Sequence, residues 1–232
     1  VSSSSRGGGR NGGKKHPTTT LPDPSHVLVG GVSDKVAGQM LRRMLELDHL
    51  HDLDIYAADL DGEPQRVTAH RLVMAAASPL LACMVARRDG GFEEGQPGAE
   101  LRFDKGEHSG AMDHTELMAI VAYVYGDEAA TGVEYERLVG VSAAAEFVGL
   151  DELSERCARK AIEGMDASNA AFVLHQAETR KVASVREASM EFVAKEFGAV
   201  SRTEGFVELL GEKVLCEIIG RDDVRVSGEK VV

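Results

Sequence analysis

The sequence predicts an α+β fold, a small β-sheet flanked by α-helices, followed by an all-helical region. Three observations carry this expectation. Leu53–Asp59 and Glu63–Thr68 read as two strands around Asp61-Gly62, a hairpin-turn dipeptide. Ala69–Met84, AHRLVMAAASPLLACM, reads as two short helices broken at Ser78-Pro79. From Ser168 onward the apolar spacing is purely helical.

Taken in order, Val1–Pro24 is Ser, Gly, Thr and Pro with a few bases, too poor in apolar surface to offset its ordering entropy. Residues 1–24 are therefore expected to be a disordered tail. The chain begins at Val rather than Met, as a piece of a longer reading frame would.

Ser33–Leu47 is the first strong helix. At 100° per residue, Val36, Leu47, Met40, Met44, Ala37, Leu41 and Leu45 fill roughly half its circumference. A helix packed on one domain needs a narrower stripe than that. The surplus points to a second apolar partner, such as a dimer seam, or to a helix sunk deeper into its own core.

The break at Ser78-Pro79 has a local chemical cause. The residue before a proline avoids helical geometry, Pro79 has the φ suited to a first helical position, and Ser78 can cap the second helix. Leu72, Val73 and Ala76 form one expected apolar face, and Leu80, Leu81 and Met84 the next. Arg87–Gly98 is a charged, Gly-rich loop, and Ala99–Asp104 the next strand. Asp113 caps a helix to about Tyr125, and a turn at Gly126–Gly132 leads to a helix within Val133–Phe147 and another at Asp151–Glu163. Asn169–Lys181, Val182–Phe197, Thr203–Leu210 and Lys213–Ile219 complete the helices.

Composition narrows the function classes. A net charge of −12 argues against general binding to nucleic acid or to an acidic membrane surface. The first twenty residues carry Arg6, Arg10, Lys14 and Lys15 and no acid, so the acidity lies in the rest of the chain. Cys83, Cys157 and Cys216 are dispersed, with no C-x-x-C, which suits partly buried thiols in a reducing compartment and offers no zinc site. No apolar run reaches membrane-spanning length, and Val1–Thr20 lacks the apolar centre of a signal peptide.

The chemistry of catalysis is missing from the sequence. It holds no G-x-S-x-G, H-E-x-x-H, Walker loop or dinucleotide fingerprint, so no catalytic residue and no cofactor is expected. His49, His51 and His70 flank the first strand without a Cys or carboxylate in ligand spacing, so no metal is expected either. His70 is expected to end the second strand, packed or hydrogen-bonded within the fold.

The order D-I-Y-A-A-D, AHRLVMAAASPLLACM, L-M-A-I-V-A-Y-V-Y-G resembles the BTB/POZ domain from about Asp34 to Ile162. That family opens a strand with Asp, follows a His with a base, ends an apolar run in Ser and closes on Y-x-Y-x-G. Ala57-Ala58 is poor strand chemistry, so the first strand rests partly on this resemblance. Leu80-Leu81 depart from the family, which often has an aromatic pair after the Ser. Further on, N-A-A-F-V-L-H-Q-A-E, E-F-V-A-K-E-F, T-E-G-F-V-E-L-L and D-D-V-R-V-S-G-E-K-V-V resemble the first half of the BACK domain of Kelch-like proteins. The match stops at Val232, where further helices would normally continue. Domains are accordingly expected at 33–163 (BTB/POZ) and 164–232 (partial BACK).

The resemblance implies a non-enzymatic adaptor, cytoplasmic or nuclear. Its BTB homodimer would recruit a cullin of the cullin-three type, with substrate protein held by another module. A BTB scaffold that only oligomerises, for transcription, channel assembly or cytoskeletal work, is the alternative. The resemblance further implies a dimer interface at Val36, Met40 and Met44 of the first helix, with Asp54 and Arg71 near the seam. Many BTB adaptors grip their cullin through an apolar residue with a Glu two positions later, and G-F-E-E-G offers Phe92 and Glu94 for that role.

Overall fold

The computed structural model describes residues 34–58, 63–85, 100–103, 112–126, 133–221 and 224. The tail at 1–24, the turn Asp61-Gly62 and the loop holding Phe92 and Glu94 lie outside the described residues.

The chain runs through α1 (Asp34–Leu45), a 3-10 turn (Asp48–Leu50), β1 (Leu53–Ala58), β2 (Pro64–Ala69), α2 (Arg71–Ala77), α3 (Pro79–Val85) and β3 (Glu100–Arg102). After α4 (His114–Val124) and a 3-10 turn (Tyr135–Arg137) come α5 (Leu138–Phe147) and α6 (Asp151–Glu163). The last described helices are α7 (Ala170–Arg180), α8 (Ala183–Lys195), α9 (Phe197–Val200) and α10 (Phe206–Ile219). A small sheet with helices, then helices alone, is the expected class.

The described strands form a sheet in the order β2-β1-β3, with β1 central. β1 and β2 pair antiparallel from Leu53↔Ala69 to Ala58↔Pro64, and β3 joins parallel, Asp54 opposite Glu100. Leu53, Ile55 and Ala57 alternate inward and are all but fully buried. Ala57 is a poor strand former, but a central position with partners on both edges overrides propensity.

Ser78 holds the α2–α3 hairpin as the sequence suggests. Its hydroxyl accepts from the Leu81 amide at 3.2 Å, capping α3, and donates to the Val148 carbonyl at the end of α5. The predicted face of α2 needs correction. Met74 points into the core, whereas Leu72 is 79% exposed. A two-turn helix that is apolar nearly all round has no periodicity strong enough to set its rotation. The Ser78 anchor and the buried His70 set it instead. On α3, Leu81 and Val85 are buried while Leu80 stays exposed.

Gly211, at φ 66° and ψ 168°, breaks α10 into the two shorter helices the sequence suggests. Among the described residues, two apolar clusters make up the core. One gathers the sheet, α2–α6 and also Val173, Ala177, Val182 and Val185. The other uses different faces of the same hairpin, Ala170, Ala171, Leu174, Met190 and Val193, with Phe206, Leu210, Val214 and Ile218 of α10. The α7–α8 hairpin therefore belongs to both.

Candidate functional site

The face that α1 turns outward is apolar. Val36 is 45% and Met40 57% exposed, and Leu47 and Leu50 beyond the helix are also open, while Met44 and Leu45 pack on the core. Besides Met44 and Leu45, the helix makes a close approach at Gly126. Gly38 lies so close to Gly126 that a Cβ on Gly126 would stand 3.3 Å from the Gly38 Cα, and Gly126 has φ +76°. There the Arg42 Nε donates to the Gly126 carbonyl at 2.7 Å.

The outer face of the sheet is charged. Asp54 accepts from the Arg66 guanidinium at 2.8 Å, across the antiparallel pair. Tyr56 Oη donates to Glu100 at 3.3 Å, and Arg102 lies 4.4 Å from the Tyr56 ring centroid. Within the chain, Asp54 therefore pairs with Arg66. Strand pairing puts residue 66 diagonally beside residue 54, whereas residue 71 has already turned into α2. Arg71 instead gives its backbone N–H to Asp52 Oδ1 at 2.7 Å and directs Nη1 to the Val85 carbonyl at 3.4 Å.

A polar network centres on the buried Glu116. Glu116, 1% exposed, forms a reciprocal capping box with Asp113: each side chain accepts from the other's backbone amide, at 2.9 and 3.0 Å. Glu116 Oε1 also accepts from Arg180 at 2.6 Å, and Asp113 Oδ2 from Arg137 at 2.7 Å. Burial raises the Glu116 carboxyl above its usual range, with Arg180 opposing. Gly140 leaves room for it, since a Cβ there would come within 2.1 Å of Glu116 Oε1. Glu116, Arg137, Gly140 and Arg180 line a cavity of about 400 Å³ together with Glu134, Glu136, Phe172 and Gln176. The local signal for this box is D-x-x-E, Asp113 as cap with Glu116 three residues on. Arg180, 64 residues away, has no local signal.

His70 is buried as expected. Tyr125 Oη accepts from its backbone N–H at 2.7 Å and lies 2.8 Å from its Nδ1. His51 meets it edge-on, ring centroids 4.7 Å apart, with His51 Nδ1 2.7 Å from Thr68 Oγ1. Cys157 is buried, which pushes its thiol pKa up and away from nucleophilic use, whereas Cys83 and Cys216 are exposed. Among the described residues no three His, Cys, Asp or Glu side chains gather as a metal site, and no helix is long and apolar enough to cross a membrane. What the geometry offers is surface: an apolar helix face and a charged sheet face.

Comparison with known proteins agrees. Residues 170–232 match the family model for BACK, "BTB And C-terminal Kelch", and residues 41–164 match that for the BTB/POZ domain. Among curated proteins the chain is 26% identical over 170 residues to Kelch-like protein 28 of Homo sapiens, covering 72% of this chain and 27% of that protein. It is 24% identical over 192 residues to Kelch repeat and BTB domain-containing protein 12 of Homo sapiens, covering 83% and 28%. The chain thus spans under a third of the length of either relative. With the sheet, the Ser-anchored helical hairpin and the helices behind them in place, this chain belongs to the BTB/POZ family and carries a BACK region after its BTB domain.

Proposed function

We propose that the protein is a non-enzymatic adaptor whose BTB domain pairs with a second copy through α1 and recruits a cullin of the cullin-three type. The BTB domain with a BACK region directly after it carries this reading, since that pairing accompanies Kelch-like relatives. The open apolar face at Val36 and Met40 supports the dimer. The mechanism is proximity: a dimer holds two substrate-bearing arms beside ubiquitin-loaded enzymes and raises effective concentration without chemistry of its own.

Phe92 and Glu94 are the residues we assign to the cullin. A Phe ring buried at an interface centre is worth about 2 kcal/mol or more, and a rim carboxylate less. Phe92→Ala should then weaken binding by about thirtyfold, and Glu94→Ala by less, with folding and dimerisation unchanged. Calorimetry with a purified cullin N-terminal domain tests both points. No binding by the unmodified protein at tens of micromolar, an order chosen as permissive for a weak complex, removes the ligase role and leaves an oligomerising scaffold. Equal binding by Phe92→Ala keeps the role but displaces the site.

A further inference from the structure

His70 stands at a junction the adaptor role does not use. It comes after β2, opens α2, and touches both the segment before β1 and the end of α4. Its Nδ1 and its backbone N–H both meet the Tyr125 hydroxyl, at 2.8 and 2.7 Å, and the Tyr125 side chain has no solvent exposure. A phenol has one proton to give. Since its oxygen accepts from the His70 amide, the bonding is completed when Tyr125 donates to Nδ1. The neutral ring then carries its hydrogen on Nε2. That Nε2 is buried with no hydrogen-bond partner among the described residues, and so is Nε2 of His51 across the ring contact.

We propose that His70 is a proton-sensitive latch on α1: neutral, it holds Tyr125 and the α1 crossing at Gly126; protonated, it lets that crossing go. A second proton must go onto Nδ1, the atom that receives the Tyr125 hydrogen. The phenol proton then loses Nδ1 as its acceptor, and a positive ring faces His51. Tyr125 adjoins Gly126, whose carbonyl receives Arg42 and whose Cα region meets Gly38. Displacing the phenol therefore moves a point on which α1 is seated.

The titratable and charged groups around His70 are His51 and Asp52 before β1, Tyr125 after α4, and Arg71 on its own helix. Asp52 favours the proton but already accepts the Arg71 amide. Burial first, then His51, push the His70 imidazole below its ordinary value, with Asp52 acting against them.

The sign is fixed by linkage. A histidine whose pKa is lower when latched than when released adds nothing above about pH 6.5 and favours release as pH falls below it. With one proton taken up on release, opening should increase between pH 7.5 and 5.5, by up to about tenfold.

Amide hydrogen exchange of α1 in the full chain, corrected for the intrinsic pH dependence of exchange, is the test. Protection of residues 36–45 should fall over that interval, by up to about tenfold, and His70→Gln, which cannot take the proton, should flatten the profile. An α1 that is equally protected at both pH values, or a His70→Gln profile with the original slope, overturns the latch. Should that variant not fold, the His70 ring resonances of the unmodified protein decide it. A midpoint below the ordinary histidine value of about 6.5 supports the latch, and one at or above it overturns it. None of these readings depends on cullin binding, and comparing His70→Gln with the unmodified protein at one protein concentration separates the latch from any protection that dimerisation through α1 adds.

Discussion

Glu116 shows how one residue can join distant parts of a chain. Its carboxylate is desolvated, and burial raises its pKa, so the Arg180 guanidinium and the Asp113 amide must supply what water no longer does. The two partners are not equivalent on removal. Arg180 is 29% exposed and can reach water when Glu116→Gln takes the charge away, so that change should cost about 1–2 kcal/mol. Arg180→Met leaves a buried carboxylate unpaired and should cost about 3 kcal/mol or more. Urea denaturation of the two variants checks the order, and a larger loss for Glu116→Gln would refute it. The Asp54–Arg66 pair is different: both side chains are at least a third exposed, and such pairs contribute about 0–1 kcal/mol.

Among the elements, α1 bears most directly on assembly. Its inner residues Met44 and Leu45 pack on the core, so a lysine at Met44 would disturb the protomer itself. Val36 is 45% and Met40 57% exposed, so charges there should disturb the protomer less than at Met44. Val36→Glu with Met40→Lys should therefore give a folded monomer by circular dichroism and light scattering. An unmodified protein that is monomeric at micromolar concentration, the order at which weak dimers are populated, would end the dimer proposal. The α2–α3 hairpin illustrates the opposite case. A polar anchor, Ser78, governs short helices whose own apolar pattern is uninformative.

For the whole molecule, the decisive feature is that the α7–α8 hairpin contributes to both apolar clusters. Val173, Ala177, Val182 and Val185 complete the core that the sheet begins, and Arg180 completes the Glu116 network. The BTB and BACK regions should thus unfold together. In urea, a probe in each region should give coincident transitions, and a chain cut after Gly164 should be less stable than the full chain. Separate transitions would show two independent units.

Sequence by itself determined the elements whose causes are local. The Ser78-Pro79 break, the Asp113 cap, helix Asp151–Glu163 and the Gly211 interruption each arise from a residue acting on its near neighbours. The resemblance in motif order added the family and its class of fold. Tertiary structure alone decided which way α2 faces, that Asp54 pairs with Arg66, and that Arg180 reaches Glu116 across 64 residues. The reason is physical. Turns, caps and helical periods are set by interactions within a few residues. Helix rotation and ion-pair choice are set by groups that meet only once the chain has folded, and no spacing in the sequence encodes that meeting.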